Sequence, residues 1–219
     1  MFFEKGLAYL HSFAQNIWLT MLRVYLTVGF AGLITILLAY WASKSRKVGY
    51  ASCLAGELLS SIPAIVWWPL LFPLALKAPW FVMFFVYLQG TLWYVYFNVM
   101  IFGMQYLRRE LLELADVYNI RGLVYFKSIF LPSILPSLAT GLISASGGAW
   151  NASIAAEYIA IGSLTINMGG IGSLINQLAS NGDAIGVLWM ALYMSLLIVI
   201  VNKSIWSRLL RKVKSRYVE

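Results

Sequence analysis

The sequence predicts an all-α integral membrane protein with five spanning helices, and three observations carry that prediction. Of its 219 residues, 61% are hydrophobic and 11% charged, where an average soluble domain has roughly a quarter charged. The apolar residues fall in long uncharged blocks, and a bilayer core about 30 Å thick needs roughly 20 helical residues to cross. The basic residues cluster beside the ends of those blocks. A net charge of +8 gathered on one face would suit nucleic acid; placed at block ends it speaks for membrane topology, so no nucleic-acid partner is expected.

Five stretches are long enough to span: 24–43, 58–76, 78–107, 128–156 and 184–202. Three segments hold 13 of the 16 Lys and Arg: Lys44, Arg46 and Lys47; Arg108, Arg109, Arg121 and Lys127; and Lys203, Arg208, Arg211, Lys212, Lys214 and Arg216. With five spans these segments share one side, which the positive-inside rule makes the cytoplasm. The expected setting is the inner (plasma) membrane, with the N-terminus outside and the C-terminus inside. Arg23 is expected at the outer edge of the first span, where its long side chain can snorkel to the interface.

The chain is expected to form one domain over 1–219. Residues 1–17 lack a signal-peptide cleavage site, and Phe3, Leu7, Leu10, Ala14 and Ile17 follow helical spacing, which predicts an interfacial helix on the outer surface. Span two begins near Glu57 and carries Pro63, Pro69 and Pro73, residues that remove backbone donors and bend a helix. Span three sets Gln89, Tyr94, Tyr96 and Asn98 in an apolar run. Residues 107–131 make the one substantial cytoplasmic segment, with charged and apolar residues alternating at helical spacing. The stretch 158–182 is too rich in glycine and amide side chains for a lipid-facing helix and reads as an outer loop. One cysteine, Cys53, and one histidine, His11, rule out an internal disulfide and argue against a His/Cys metal cage.

Span four offers two faces. Gly141, Ala145, Gly148 and Ala152 recur at spacings of four, three and four and let another helix approach closely. About 100° round the helix, Ser146, Trp150, Ser153 and Glu157 recur at the same spacings and form a polar stripe. These four and Asn151 are the candidates for lining a pathway through the membrane. A carboxylate in the bilayer is costly, so Glu157 either faces protein or a wet cavity, or it lies at the outer end of the span and meets water.

Residues 113–132 read Glu-Leu-Ala-Asp-Val-Tyr-Asn-Ile-Arg-Gly-Leu-Val-Tyr-Phe-Lys-Ser-Ile-Phe-Leu-Pro and closely resemble the EAA motif of ABC importer permeases. Glu113 and Ala115 fall on its first and third positions, Asn119 on its glycine, Phe126 on a common aromatic position, and Ile129, Leu131 and Pro132 on its ending. Leu114 departs from the motif's alanine. Asn119 departs from its glycine, and Asn is the non-glycine residue best suited to a left-handed turn. The resemblance implies short helices over 110–118 and 122–130, the first a knob for a cleft in an ATPase subunit. It implies that Glu113, Ala115, Asp116, Asn119, Gly122, Phe126 and Pro132 serve that coupling. Glu57 to Leu71 and Gly141 to Ile159 look like the second and fourth core spans of the permeases that accompany nitrate, taurine and alkanesulfonate uptake.

The family implies a type I importer fold of five core helices per subunit. It implies a second permease subunit, two cytoplasmic ATPases that bind ATP and Mg, and usually an external substrate-binding protein, all in a lipid membrane. No phosphate-cradling Gly-x-x-x-x-Gly-Lys-Ser/Thr sequence occurs in this chain, so the nucleotide belongs to the partner and no cofactor is expected here. No catalytic constellation is evident either, since an intramembrane enzyme would need convergent acid, base or nucleophile groups. A passive channel or a membrane scaffold is the alternative on composition alone. The resemblance suggests a small solute such as nitrate, bicarbonate or a sulfonate, although span interiors carry no obvious cation besides Arg23.

Overall fold

In the computed structural model, residues 2–107, 109–161, 163–208, 211 and 213 are described. The fold is almost entirely helical. The first helix, α1 (Phe2–Lys44), runs 43 residues without a break, or about 64 Å at 1.5 Å per residue. Trp18 and Trp41 are exposed at 72% and 61%, and between them Leu19, Leu22, Leu26, Phe30, Leu33 and Leu37 form an exposed apolar stripe. The two tryptophans lie about 35 Å apart along the axis, the spacing of aromatic anchors at the two faces of a bilayer. The opposite face buries Thr20, Arg23, Val24, Thr27, Val28, Ala31 and Thr35.

The separate interfacial helix expected over 1–17 is instead the beginning of α1. It continues because its buried face, Gly6, Phe13 and Ile17, is already in phase with the Thr20–Val24 face. That face packs on the last span, α10 (Ala184–Val201), where Tyr193 donates to the Gly6 carbonyl at 2.8 Å and Phe13 meets the Tyr193 ring at 5.6 Å. Met1 lies outside the described residues.

Ser45 alone separates α1 from α2 (Arg46–Ser60), and α3 (Trp67–Ala75) follows after a short 3-10 turn at Ala64–Val66. The span expected over 58–76 is therefore not one helix but two pieces around Pro63. The break leaves carbonyls without helical donors, and side chains supply them. Ser61 Oγ donates to the Leu58 carbonyl at 2.7 Å, and Gln89 Nε2 donates to those of Leu59 at 2.7 Å and Ile62 at 3.3 Å. Glu57 does not begin the span; it sits near the far end of a helix that starts eleven residues earlier.

Span three comprises α4 (Pro79–Gln89), α5 (Leu92–Phe97) and wide and tight turns that carry it to Tyr106. A loop follows, with α6 (Arg109–Val117) and α7 (Gly122–Tyr125), and leads through a wide turn at Phe126–Phe130 into α8 (Leu131–Ala156). A two-stranded antiparallel hairpin, β1 (Tyr158–Ile161) and β2 (Leu164–Asn167), and the short α9 (Ile171–Ser180) come before α10. Among the described residues, four helical runs are long and apolar enough to cross a membrane: Gly6–Lys44, Pro79–Tyr106, Gly122–Ala156 and Ala184–Ser204.

The core lies where α8 meets α1, α4 and α5, with Trp150, Tyr87, Tyr96, Phe130 and Ile134 fully buried. The small-residue face of α8 makes this approach possible. A β-carbon at Gly141 would lie 2.9 Å from the Val95 backbone, and one at Gly148 2.7 Å from the Gly90 carbonyl oxygen.

Candidate coupling loop and translocation face

At the end of the molecule that holds Lys44 and Arg121, the loop 107–131 folds as two short helical arms about a tight turn. Asn119 takes φ +52°, and Gly122 takes +61°. Asn119 thus fills the left-handed position of the motif's glycine, and the Ile120 amide closes the turn on the Ala115 carbonyl at 2.7 Å. Ala115 is buried at 4%, while Leu114, Val117, Tyr118, Leu123 and Val124 are exposed by 50–80%. Glu113 and Asp116 lie on the exposed surface of α6. Phe126 is half-buried, its ring 5.7 Å from that of Tyr40 at the end of α1. Tyr40 also meets Phe130 at 5.4 Å, and Lys44 Nζ sits over Tyr40 at 4.8 Å and over Tyr125 at 5.6 Å. Pro132 follows directly on the wide turn at Phe126–Phe130, inside the continuous helical run Gly122–Ala156, and its missing amide leaves that turn one helical donor short. Arg108 lies outside the described residues.

At the hairpin end, Glu157 is 0% exposed. Its Oε1 accepts from Arg23 Nη1 at 2.8 Å, Tyr87 Oη at 2.9 Å and Thr20 Oγ1 at 2.9 Å, and its Oε2 accepts from the Gly172 amide at 2.8 Å. The last donor belongs to the first turn of α9, where the helix dipole favours an anion. Arg23 also donates to the carbonyls of Met168 and Gly169, each at 2.7 Å, and its guanidinium lies 5.0 Å from the Trp80 ring. One ion pair thus ties the hairpin and α9 to α1 and α4. Glu157 does not meet water at the end of the span, and Arg23, 7% exposed, does not snorkel. Glycines let the backbone close over the carboxylate: a β-carbon at Gly170 would collide with Glu157 Oε2, and one at Gly172 with the Ser153 carbonyl oxygen.

The polar stripe of α8 also turns inward. Ser146, Trp150 and Ser153 are exposed by 2%, 1% and 0%, and Ser153 Oγ satisfies itself on the Trp150 carbonyl at 2.7 Å. A serine can always return its hydroxyl to the preceding turn, so a serine stripe fits a core as well as a pathway. Of the five pathway candidates, the structure leaves Asn151 exposed. It belongs to a second stripe, Ser144, Gly147 and Asn151, with Thr140 below it, that the same 4-3-4 spacing marks. Tyr94 and Asn98 of span three adjoin it: Tyr94 is 51% exposed, and Thr140 Oγ1 donates to Asn98 Oδ1 at 3.4 Å. Near the hairpin end Asn151 opens into a groove of about 690 Å³, lined also by Trp68, Pro69, Tyr158, Asn176 and Ser180.

The family described as the binding-protein-dependent transport system inner membrane component matches residues 31–214. The chain belongs to that family. Its members are transport components and not enzymes. The chain is 27% identical over 146 residues to the nitrate import permease protein NrtB of Leptolyngbya laminosa, covering 67% of this chain and 50% of that protein. It is 36% identical over 87 residues to the putative aliphatic sulfonates transport permease protein SsuC of Escherichia coli K12, covering 38% of this chain and 33% of that one. The chain thus spans half or less of the length of these curated relatives.

Sequence reasoning missed Thr20, Tyr87 and Gly172 and gave Arg23 the wrong surroundings. No local signal marks a contact between residues 134 positions apart. The charge count did hold a hint, because Arg23 and Glu157 are unlike charges among the few, with Lys77 and Asp183, that fall beside span ends away from the basic segments.

Proposed function

We propose that this chain is the membrane-spanning permease subunit of an ATP-driven importer. It forms half of a solute route and couples that route to a separate ATPase. It works with a second permease subunit, two cytoplasmic ATPase subunits that carry ATP and Mg, and an external binding protein. The basic loops face the cytoplasm, with the N-terminus outside, and α2 and α3 together make the fifth crossing.

The single observation that carries this reading is the exposed apolar knob of α6. Leu114, Val117 and Tyr118 stand 50–80% exposed on an arm braced by a left-handed Asn119 and the Tyr40 aromatic cluster. A contiguous exposed apolar patch marks a protein contact, and a braced arm transmits displacement where a floppy loop would absorb it. Glu113 and Asp116 rim the knob. The solute route follows the stripe of exposed Tyr94, Ser144 and Asn151 with half-buried Asn98, because polar side chains at membrane depth belong against protein or water. The relatives named for nitrate and aliphatic sulfonates make small anions the first class of solute to assay.

The test is co-purification in mild detergent. A cytoplasmic ATPase should accompany the wild-type chain and be lost from Glu113→Lys/Val117→Lys, while the variant's thermal midpoint stays unchanged. An ATPase retained by that variant, or bound by neither protein, sinks the reading.

A further inference from the structure

Two cavities abut where the end of α1 meets the loop 107–131, one apolar and one charged. The apolar cavity, of about 380 Å³, is lined by Leu37, Tyr40, Gly122, Leu123 and Phe126. The charged one, of about 340 Å³, is lined in part by Ser43, Lys44, Ala115, Asp116, Arg121 and Tyr125. Leu37 and Lys44 are seven residues apart, so they share a face of α1 and lie about 10 Å apart along it. On the loop side the two linings meet between Arg121 and Gly122. The Tyr40 ring, a wall of the apolar cavity, carries Lys44 Nζ of the charged one at 4.8 Å.

The charged cavity is net positive. Against Lys44 and Arg121 it sets one carboxylate, Asp116, and neither cation is ion-paired with it among the described residues. Lys44 is instead positioned by two rings, those of Tyr40 and Tyr125. The depth follows from α1. Leu37 ends the exposed apolar stripe, and Trp41, 61% exposed, marks a bilayer face. Lys44 lies about 4.5 Å further along the axis, within a headgroup layer about 5–7 Å thick. Ala115 lies about 200° round α6 from Val117 of the knob, so a partner seated on the knob meets the opposite face of the arm.

We propose that one anionic phospholipid, from the leaflet on the basic side, seats in this pair of cavities. Its phosphate lies between Lys44 and Arg121, and the upper part of an acyl chain lies against Leu37, Leu123 and Phe126. Basic side chains at headgroup level attract anionic lipid, and the apolar cavity adds burial of methylene groups. A free phosphate would meet the same two cations and leave the apolar cavity unfilled, so the acyl contact separates the two sources. A lipid so placed fills the angle between α1 and α7 and becomes part of the brace that holds the coupling arm. The site goes beyond the importer reading and needs only a bilayer face near Trp41, so either can fail without the other.

The test is native mass spectrometry of the full chain in mild detergent, with whatever subunits accompany it. Phosphatidylglycerol, phosphatidylcholine and inorganic phosphate are added in turn. The wild type should retain one phosphatidylglycerol, more tightly than phosphatidylcholine. Lys44→Gln/Arg121→Gln should weaken that binding about thirtyfold, the scale of two basic side chains beside an anionic headgroup, and Arg121→Gln alone about fivefold. Leu123→Asn should weaken it about fivefold through lost apolar contact. Arg46→Gln/Lys47→Gln removes the same charge from exposed neighbours that line neither cavity and should leave retention unchanged. Equal loss in the two double variants would trace the effect to the basic surface as a whole and overturn the site. Inorganic phosphate that displaces the lipid at equal concentration, or binding indifferent to Leu123→Asn, assigns the charged cavity to a soluble anion and overturns the lipid.

Discussion

The two ends of this subunit handle unmet chemistry in opposite ways. At the hairpin end an arginine and a glutamate are taken out of water, and each acceptor oxygen of the carboxylate finds its donors within the chain. At the basic end, apolar side chains of α6 are held out into water on a braced arm, and none of the described residues covers them. A chain completes what it needs for its own fold and leaves incomplete what another chain is to finish. The difference therefore separates residues that should show up in stability from residues that should show up only in assembly.

The largest effect should come from breaking the buried pair. Glu157→Leu strands Arg23 in the core and should cost about 3–5 kcal/mol, read as a large fall in thermal midpoint in detergent or as failure to accumulate. Arg23→Met/Glu157→Leu removes both charges and should recover much of that loss; a double variant no better than the single one would show that the knot's hydrogen bonds, and not its charges, hold the cap. Next, Gly172→Ala drives a methyl into the Ser153 carbonyl oxygen and should cost about 1–3 kcal/mol in the same assay. Gly147→Ala, with nothing within 4 Å, is its control and should be neutral in the isolated subunit.

Asn119→Val should cost about 1–2 kcal/mol, because a β-branched residue resists φ +52°, whereas Asn119→Gly should fold as well as the wild type. Since the strain is local, ATPase retention should fall further than the thermal midpoint does. The smallest effect on stability, within about 0.5 kcal/mol, should come from Val117→Ser, an 80% exposed position. Its loss should appear in ATPase retention on a column, and a matching fall in thermal midpoint would erase the distinction between the two ends.

What the sequence makes legible follows the same division. The coupling loop is contiguous: its turn chemistry, arm lengths and helix phase lie within about twenty residues, and Asn119 carries the conformation that its place in the motif requires. The small-residue face of α8 is equally plain, because close approach needs small side chains whatever they meet. The second polar stripe is not separable from the first by pattern alone, since Ser146 and Ser144 differ by about 200° on a wheel that has no marked interior. Pro63 announces a bend, but only the structure shows Gln89, from another helix, supplying the donors that the break removed. The knot is hidden altogether, because burying a charge is a property of its partners, and the side chains among those partners lie 70 to 137 residues away.

One consequence of α1 remains. Thr20 and Arg23 are fastened to the hairpin and α9, while Tyr40, Ser43 and Lys44 touch Tyr125 and Phe126 at the root of the coupling loop. Between the two fastenings the helix is unbroken and holds no proline. It is a strut roughly 30 Å long, and a strut pinned at both ends converts a push on one into travel of the other. Whatever tilts the loop at 107–131 must carry the hairpin and α9 with it or tear the Arg23–Glu157 pin.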